Sequence, residues 1–285
     1  DHACYHVISR ITSGEHRLKD REKEVLRKML WRQAAFSGVQ VITYALMSNH
    51  IHLLVRIPYV PEDELTDDVL LERYEALYGG SESTQVMSPS NVRYLLENED
   101  PLAQKIRRQL KRRMGDLAVF MQELKRRFTR WYNHEHQSFG TVWAHRYKSL
   151  LVEERPDVLR IVAAYIDLNP IRAGLKDDPA DYRFCGYAEA MAGNKEARAG
   201  YRILYETQDW EQTIASYRLF LFDKGGAGKT DDAGEETERI PEEVVDEVTQ
   251  AGGMVTWAQH LRCRCRYMER GLALGEKTFL EALFQ

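Results

Sequence analysis

The segment Asn49-His50-Ile51-His52-Leu53-Leu54-Val55 sets two imidazoles two residues apart in a run of aliphatic side chains. On a strand, alternate side chains share a face. His50 and His52 therefore point the same way, with Cα atoms about 7 Å apart. Ile51, Leu53, Val55 and Ile57 then face a core. Two imidazoles on one strand can hold one divalent cation; two solvent-facing histidines on a half-exposed sheet satisfy the same pattern. A second triplet, His134-Glu135-His136, ends a helical stretch, where positions i and i+2 do not face each other. It suits solvent exposure or nucleic-acid contact rather than chelation.

The second chemically capable segment is VLRIVAAYIDLNP, residues 158–170. Val158, Ile161, Val162 and Tyr165 form an apolar helical stripe, and Asn169 falls on it one turn beyond Tyr165. One reading is a core tyrosine and an Asn that caps the helix before Pro170. The other is a nucleophilic phenol beside a further metal ligand, since a buried Asn must be bonded or must ligate something. Gly225–Thr230 (GGAGKT) is not a phosphate-binding loop. The pattern needs glycine where Asp223 stands, and Asp231 and Asp232 would repel phosphate. Cys263-Arg264-Cys265 has no common zinc spacing.

The elements that must position these residues alternate between strand and helix. Residues 3–11 read as a strand, 20–36 as an amphipathic helix stopped by Gly38, and 39–58 as two strands broken near Met47-Ser48-Asn49. Residues 101–114 and 117–133 read as helices, 141–153 as a strand after a turn at Gly140, and 156–170 as a helix opened by Pro156. The order β-α-β-β-(insert)-α-β-α indicates an α+β sandwich. The organisation expected is a core of residues 1–58 and 115–190. A helical insertion at 59–114, acidic then basic, interrupts it. A helical extension covers 191–222, a flexible acidic linker 223–240 and a last helical segment 241–285.

The net charge of −4 over 285 residues conceals segregation. Residues 62–100 hold eleven acids against two arginines, whereas residues 105–130 hold ten Lys/Arg against Asp116 and Glu123. Such a basic block is a candidate polyanion-binding face, although solvated helix faces carry similar blocks. Lys125, Arg126, Arg127 and Arg130 can track phosphates, with Trp131, Tyr132 and Trp143 available to stack on bases or to serve the core. Arg146 and Lys148 would share one side of their strand. No apolar run approaches membrane-spanning length. Four scattered cysteines and a chain opening on a strand lead us to expect no leader and a reducing cytoplasm.

Four blocks in series, YHVISR (5–10), ALMSNHIHLLV (45–55), GTVWAHRYKS (140–149) and YIDLNPIRAG (165–174), resemble the REP-associated tyrosine transposases. These form part of the single-tyrosine branch of the HUH endonucleases. The resemblance spans roughly residues 1–190. It implies a ferredoxin-like antiparallel sheet with helices on one face, Tyr165 as nucleophile, and Mg²⁺ or Mn²⁺ held by His50, His52 and Asn169. It implies cleavage of single-stranded DNA near REP-type hairpins, leaving a 5′-phosphotyrosine and a free 3′-hydroxyl. Arg10, Lys125, Arg126, Arg130, Arg146 and Lys148 are the expected DNA contacts. The partner is then hairpin DNA rather than a membrane, and the chain a monomer or homodimer, cytoplasmic and nucleoid-associated when bound. Two other readings stay open: a hairpin-binding protein that does not cut, and a metal-dependent phosphoesterase using water, in which Tyr165→Phe stays active.

Overall fold

In a computed structural model, residues 2–80, 86–98, 100–225, 268 and 271–283 are described. Five strands form one sheet in the order β2-β3-β1-β4-β5: β1 Ala3–Arg10, β2 Gln40–Leu46, β3 His50–Ile57, β4 Lys148–Val152 and β5 Ala273–Leu274. The first four are antiparallel neighbours, and β5 joins β4 in parallel. Between them run α1 Asp20–Ser37, α5 Leu117–Glu135 and α6 Pro156–Asp167. The β1-α1-β2-β3-α5-β4 path is the expected ferredoxin-like α+β arrangement.

Cross-strand register assigns the two faces of the sheet. Val7 pairs with Leu53 and Tyr44 with Leu53, so these side chains share one face. Trp31 of α1 packs edge-on against Tyr44 at 6.0 Å, which places α1 there, with α5 beside it through Gln33 and Glu123. Gly38 ends α1 with φ 75°, a conformation that favours glycine. Ile8 pairs with His52 and Ala45 with His52, so these belong to the opposite face. That face is covered as well, by α6, α9 (Lys195–Tyr205) and α10 (Trp210–Gly225), so helices lie on both faces of the sheet and not on the one face expected. Val41 to Leu46 are consequently all buried. Gly200 lets α9 lie directly on β2: a Cβ there would stand 2.4 Å from the Ile42 carbonyl oxygen.

Residues 59–114 form α2 Asp67–Tyr78, α3 Pro89–Glu97 and α4 Ala103–Lys111, which enclose a small core of Leu70, Leu71, Leu77, Val92, Leu96 and Leu110 against Phe36 of α1. Much of the basic block is spent inside the protein. Arg107 makes a paired contact with Asp67, Arg113 with Glu123, and both Arg113 and Arg127 donate to the Tyr78 hydroxyl.

The strand expected over 141–153 begins only at Lys148 and ends at Val152. Residues 141–147 look strand-like because Val142, Trp143 and Tyr147 are apolar. Their burial serves packing instead: Trp143 lies against Phe128 at 5.7 Å and donates its indole N–H to the Lys125 carbonyl. Among the described residues this stretch pairs through one isolated bridge, Trp143 to Ile11, just past the end of β1. After α6 the chain makes the short helix α7 Asn169–Arg172, then α8 Gly186–Met191, earlier than the expected extension. A terminal helix, α11, spans Lys277–Leu283. Most of the linker and the last segment, including Cys263, Cys265 and all of GGAGKT after Gly225, lies outside the described residues.

Candidate active site

Three histidines and Tyr165 meet where α6 crosses β1 and β3. Alternation puts His50 and His52 on the α6 face of β3, with ring centroids 4.9 Å apart and nearly perpendicular. His6 of β1 was not singled out by the sequence. It shares that face and stacks on His52 at 5.2 Å with 20° between the rings. Its Nε2 stands 3.0 Å from His52 Nδ1. The Tyr165 ring meets both His6 and His52 edge-on at 5.8 Å. Tyr165 reaches them because it lies on the apolar stripe of α6, and it is 4% exposed.

His6 and His52 are fully buried. Burial pushes the His6 pKa down to about 4. Burial again, with His6, His50, Arg10 and Arg172 nearby, drives His52 well below its usual value. Both are neutral imidazoles at physiological pH, the form that ligates metal. His52 Nε2 is buried with no hydrogen-bond partner among the described residues. The buried orphan nitrogen fits a cation ligand: a donor atom held out of water without a protein partner is costly unless something binds it. Among the described residues no three His, Cys, Asp or Glu side chains converge as a metal cluster. A cation here would rest on the two imidazoles and on neutral or substrate oxygens.

Asn169 is half-buried, and its amide donates to the Tyr165 carbonyl at 2.9 Å. That bond is the helix-capping reading of the sequence; it leaves the Asn169 carbonyl oxygen as the atom able to ligate. Arg172 lies over the Tyr165 ring at 4.9 Å. Arg10, exposed at the end of β1, pairs in register with His50. The cluster thus has a buried floor, His6 and His52, and a cationic rim. Lys148 pairs with Ile8, so its exposed side chain shares the face of His52.

The remaining expected contacts are distributed elsewhere. Lys125 is half-buried: it donates to the His145 carbonyl and sits 5.4 Å over Trp143, and burial lowers its pKa to about 8. Arg126 and Arg130 are exposed on α5, in the helix layer across the sheet from Tyr165. Arg146 is exposed but precedes β4, so strand alternation does not orient it. Tyr147, just before β4, has its pKa raised by burial and by Asp116, with Tyr5 also near; Tyr5 neighbours His6 on β1 and so faces the side away from the histidines. His136 stacks on Tyr132 at 4.2 Å and meets Glu22 at 3.1 Å, apart from the site.

Two participants escaped the sequence reading. His6 and Arg172 both lie inside quoted blocks, but their roles depend on register and on the turn after α6. The even positions of β1, Cys4, His6 and Ile8, were a signal for His6 once β1 is placed beside β3.

Residues 1–62 match the family described as Transposase IS200 like. That span contains His6, His50 and His52 and two of the four sequence blocks. Among solved structures, one titled as the REP-associated tyrosine transposase bound to a REP hairpin is similar at 13% identity. The similarity covers 83% of this chain and 93% of that one, with a TM-score of 0.43. No curated protein matches the chain.

Proposed function

We propose that this chain, whose first 62 residues match the IS200-like transposases, is a metal-dependent single-strand DNA endonuclease and strand transferase acting beside REP-type hairpins. The observation that carries the reading is Tyr165 packed edge-on against His52, whose ring neighbours His50 on the same face of β3. The Tyr165 hydroxyl oxygen attacks a phosphodiester, the P–O bond to the 3′ oxygen breaks, and a 5′-phosphotyrosine forms. The phenol loses one proton and the departing 3′ oxygen gains one, so the exchange is balanced and reversible. A phenol ordinarily holds its proton to about pH 10, so it needs activation. His50, His52 and Asn169 would hold a Mg²⁺ or Mn²⁺ ion, which would supply neutralisation of charge on the non-bridging phosphate oxygens.

The other parts have defined tasks. Arg10 at the rim and Arg172 above the Tyr165 ring hold phosphate charge next to the attacking oxygen. Lys148 extends the cationic edge along β4. The depth of Tyr165 favours the competing reading, a hairpin-binding protein that does not cut, because the ring must become reachable by a phosphodiester. Cleavage of end-labelled hairpin oligonucleotides with Mn²⁺ separates the two. Wild type cuts, and Tyr165→Phe binds equally but does not cut. Retained cleavage by Tyr165→Phe would point to water as nucleophile; no cleavage by wild type under any divalent cation would leave the binding reading.

A further inference from the structure

The reaction just described gives no task to His6, a fully buried imidazole within hydrogen-bond distance of a proposed ligand. Only one proton can lie between His6 Nε2 and His52 Nδ1, and both rings are neutral. If His6 donates, the single proton of His52 sits on Nε2. That N–H would then be buried with no acceptor among the described residues, at a cost of about 1–3 kcal/mol. If His52 donates, its Nε2 presents a lone pair, and the proton of His6 moves to Nδ1. That atom is also buried without a full hydrogen bond, but the Met268 backbone lies close enough to His6 to oppose the fall in its pKa, and no such group acts on His52 among the described residues.

His50 follows the same pattern. Its Nδ1 lies 2.6 Å from the Asn49 side-chain oxygen, and the Asn49 amide in turn points at the Gly14 carbonyl at 3.5 Å. An oxygen acceptor at Nδ1 makes that nitrogen the proton carrier and leaves Nε2 as the ligating atom. Metal-binding histidines are generally held this way, by a partner on the ring nitrogen that does not touch the metal. At His50 the partner is an amide on a loop. At His52 the loop is out of reach, and the neighbouring strand supplies an imidazole instead.

Resting on the reading of His52 as a cation ligand, we propose that His6 is a positioning residue: it accepts the Nδ1–H of His52, fixes that tautomer and ring orientation, and turns the Nε2 lone pair toward a divalent cation. His6 does not itself ligate, because its Nε2 is occupied by His52. Its place on β1 makes the geometry rigid, since β1 is bonded on both sides, to β3 and β4.

The test uses the full chain and Mn²⁺ as probe. In the metal-free wild type, long-range ¹⁵N–¹H correlation of the histidine rings should show His52 protonated at Nδ1; protonation at Nε2 overturns the proposal. Mn²⁺ affinity, read by electron paramagnetic resonance titration, should fall 10–100-fold in His6→Leu. His6→Gln can place an amide oxygen near the original Nε2, and it should restore affinity to within about threefold of wild type. A His6→Gln protein as weak as His6→Leu, or a folded His6→Leu protein with unchanged affinity, would refute the role. Should His6→Leu fail to fold, His6→Gln and the ring correlations still decide the matter. A wild type that binds no Mn²⁺ overturns the functional reading and this inference together. One that binds through His52 but carries the proton on Nε2 overturns this inference alone.

Discussion

Asp167 is the acid whose titration should be most visible in stability. It lies two residues beyond Tyr165, fully buried, and accepts hydrogen bonds from Thr43 of β2 at 2.6 Å, from Tyr201 of α9 at 2.8 Å and from Tyr217 of α10. Burial raises its pKa to about 7, and the three hydroxyls oppose that rise without cancelling it. In the unfolded chain the group releases its proton near pH 4. Between about pH 4 and pH 7 the folded state therefore binds the proton and the unfolded state does not, so this group makes stability fall as pH rises. The slope is about 1.4 kcal/mol per pH unit, and the full window amounts to about 4 kcal/mol at most. His6 and His52, with lowered values, work in the opposite direction below about pH 6.5, so the wild-type curve alone does not isolate Asp167. The Asp167→Asn difference does, because both histidines are shared. Asn resembles the neutral acid and cannot ionise. Urea unfolding at pH 5 and pH 8 should show the stability difference moving in favour of Asn by about 3 kcal/mol. A difference that stays flat, or that moves toward Asp as pH rises, would refute the assignment of a neutral, buried Asp167.

Other consequences follow from particular contacts. Gly200→Ala should destabilise by about 1–3 kcal/mol, read as a lower urea midpoint, because the new methyl meets the Val41 and Ile42 carbonyls of β2. Arg113→Ala should cost about 3–5 kcal/mol by leaving the largely buried Glu123 unpaired, and the Arg113→Ala/Glu123→Ala double variant should recover part of that loss in the same assay. Arg10→Ala should lower single-strand affinity and flatten its salt dependence by about 0.7 in slope in fluorescence anisotropy. Arg126→Glu with Arg130→Glu should affect cleavage rate at saturating DNA far less than Arg10→Ala, because α5 lies in the layer across the sheet from Tyr165.

The elements legible in the sequence were those with one clean period. β3 shows its alternation through His50, Ile51, His52 and Leu53, and α6 shows its stripe and its opening proline, so the facing of Tyr165 toward the His strand was accessible. Gly38 marked the end of α1 because its left-handed backbone suits glycine. The start of β4 was not legible: Trp143 and Tyr147 have strand-forming side chains but spend them on packing against α5 and β1. The second helical layer was also hidden, although Val41 to Leu46 carried a trace of it in being apolar on both alternating faces, Thr43 excepted. The basic block misled in part, since sequence gives charge but not pairing, and Arg107 and Arg113 are held by Asp67 and Glu123. His6 needed the register of two strands 46 residues apart in sequence.

The central claim, that Tyr165 attacks DNA, is tested most directly by trapping the covalent product. A hairpin oligonucleotide whose strand extends only a few nucleotides to the 5′ side of the cleavage point loses that short fragment, with its 3′-hydroxyl, by dissociation, so the adduct accumulates. With Mn²⁺, mass spectrometry of the tryptic peptides should find the 5′-phosphorylated strand on Tyr165. The adduct should vanish in Tyr165→Phe while hairpin affinity is kept. An adduct on Tyr147 or any other residue, or an adduct undiminished in Tyr165→Phe, would contradict the account.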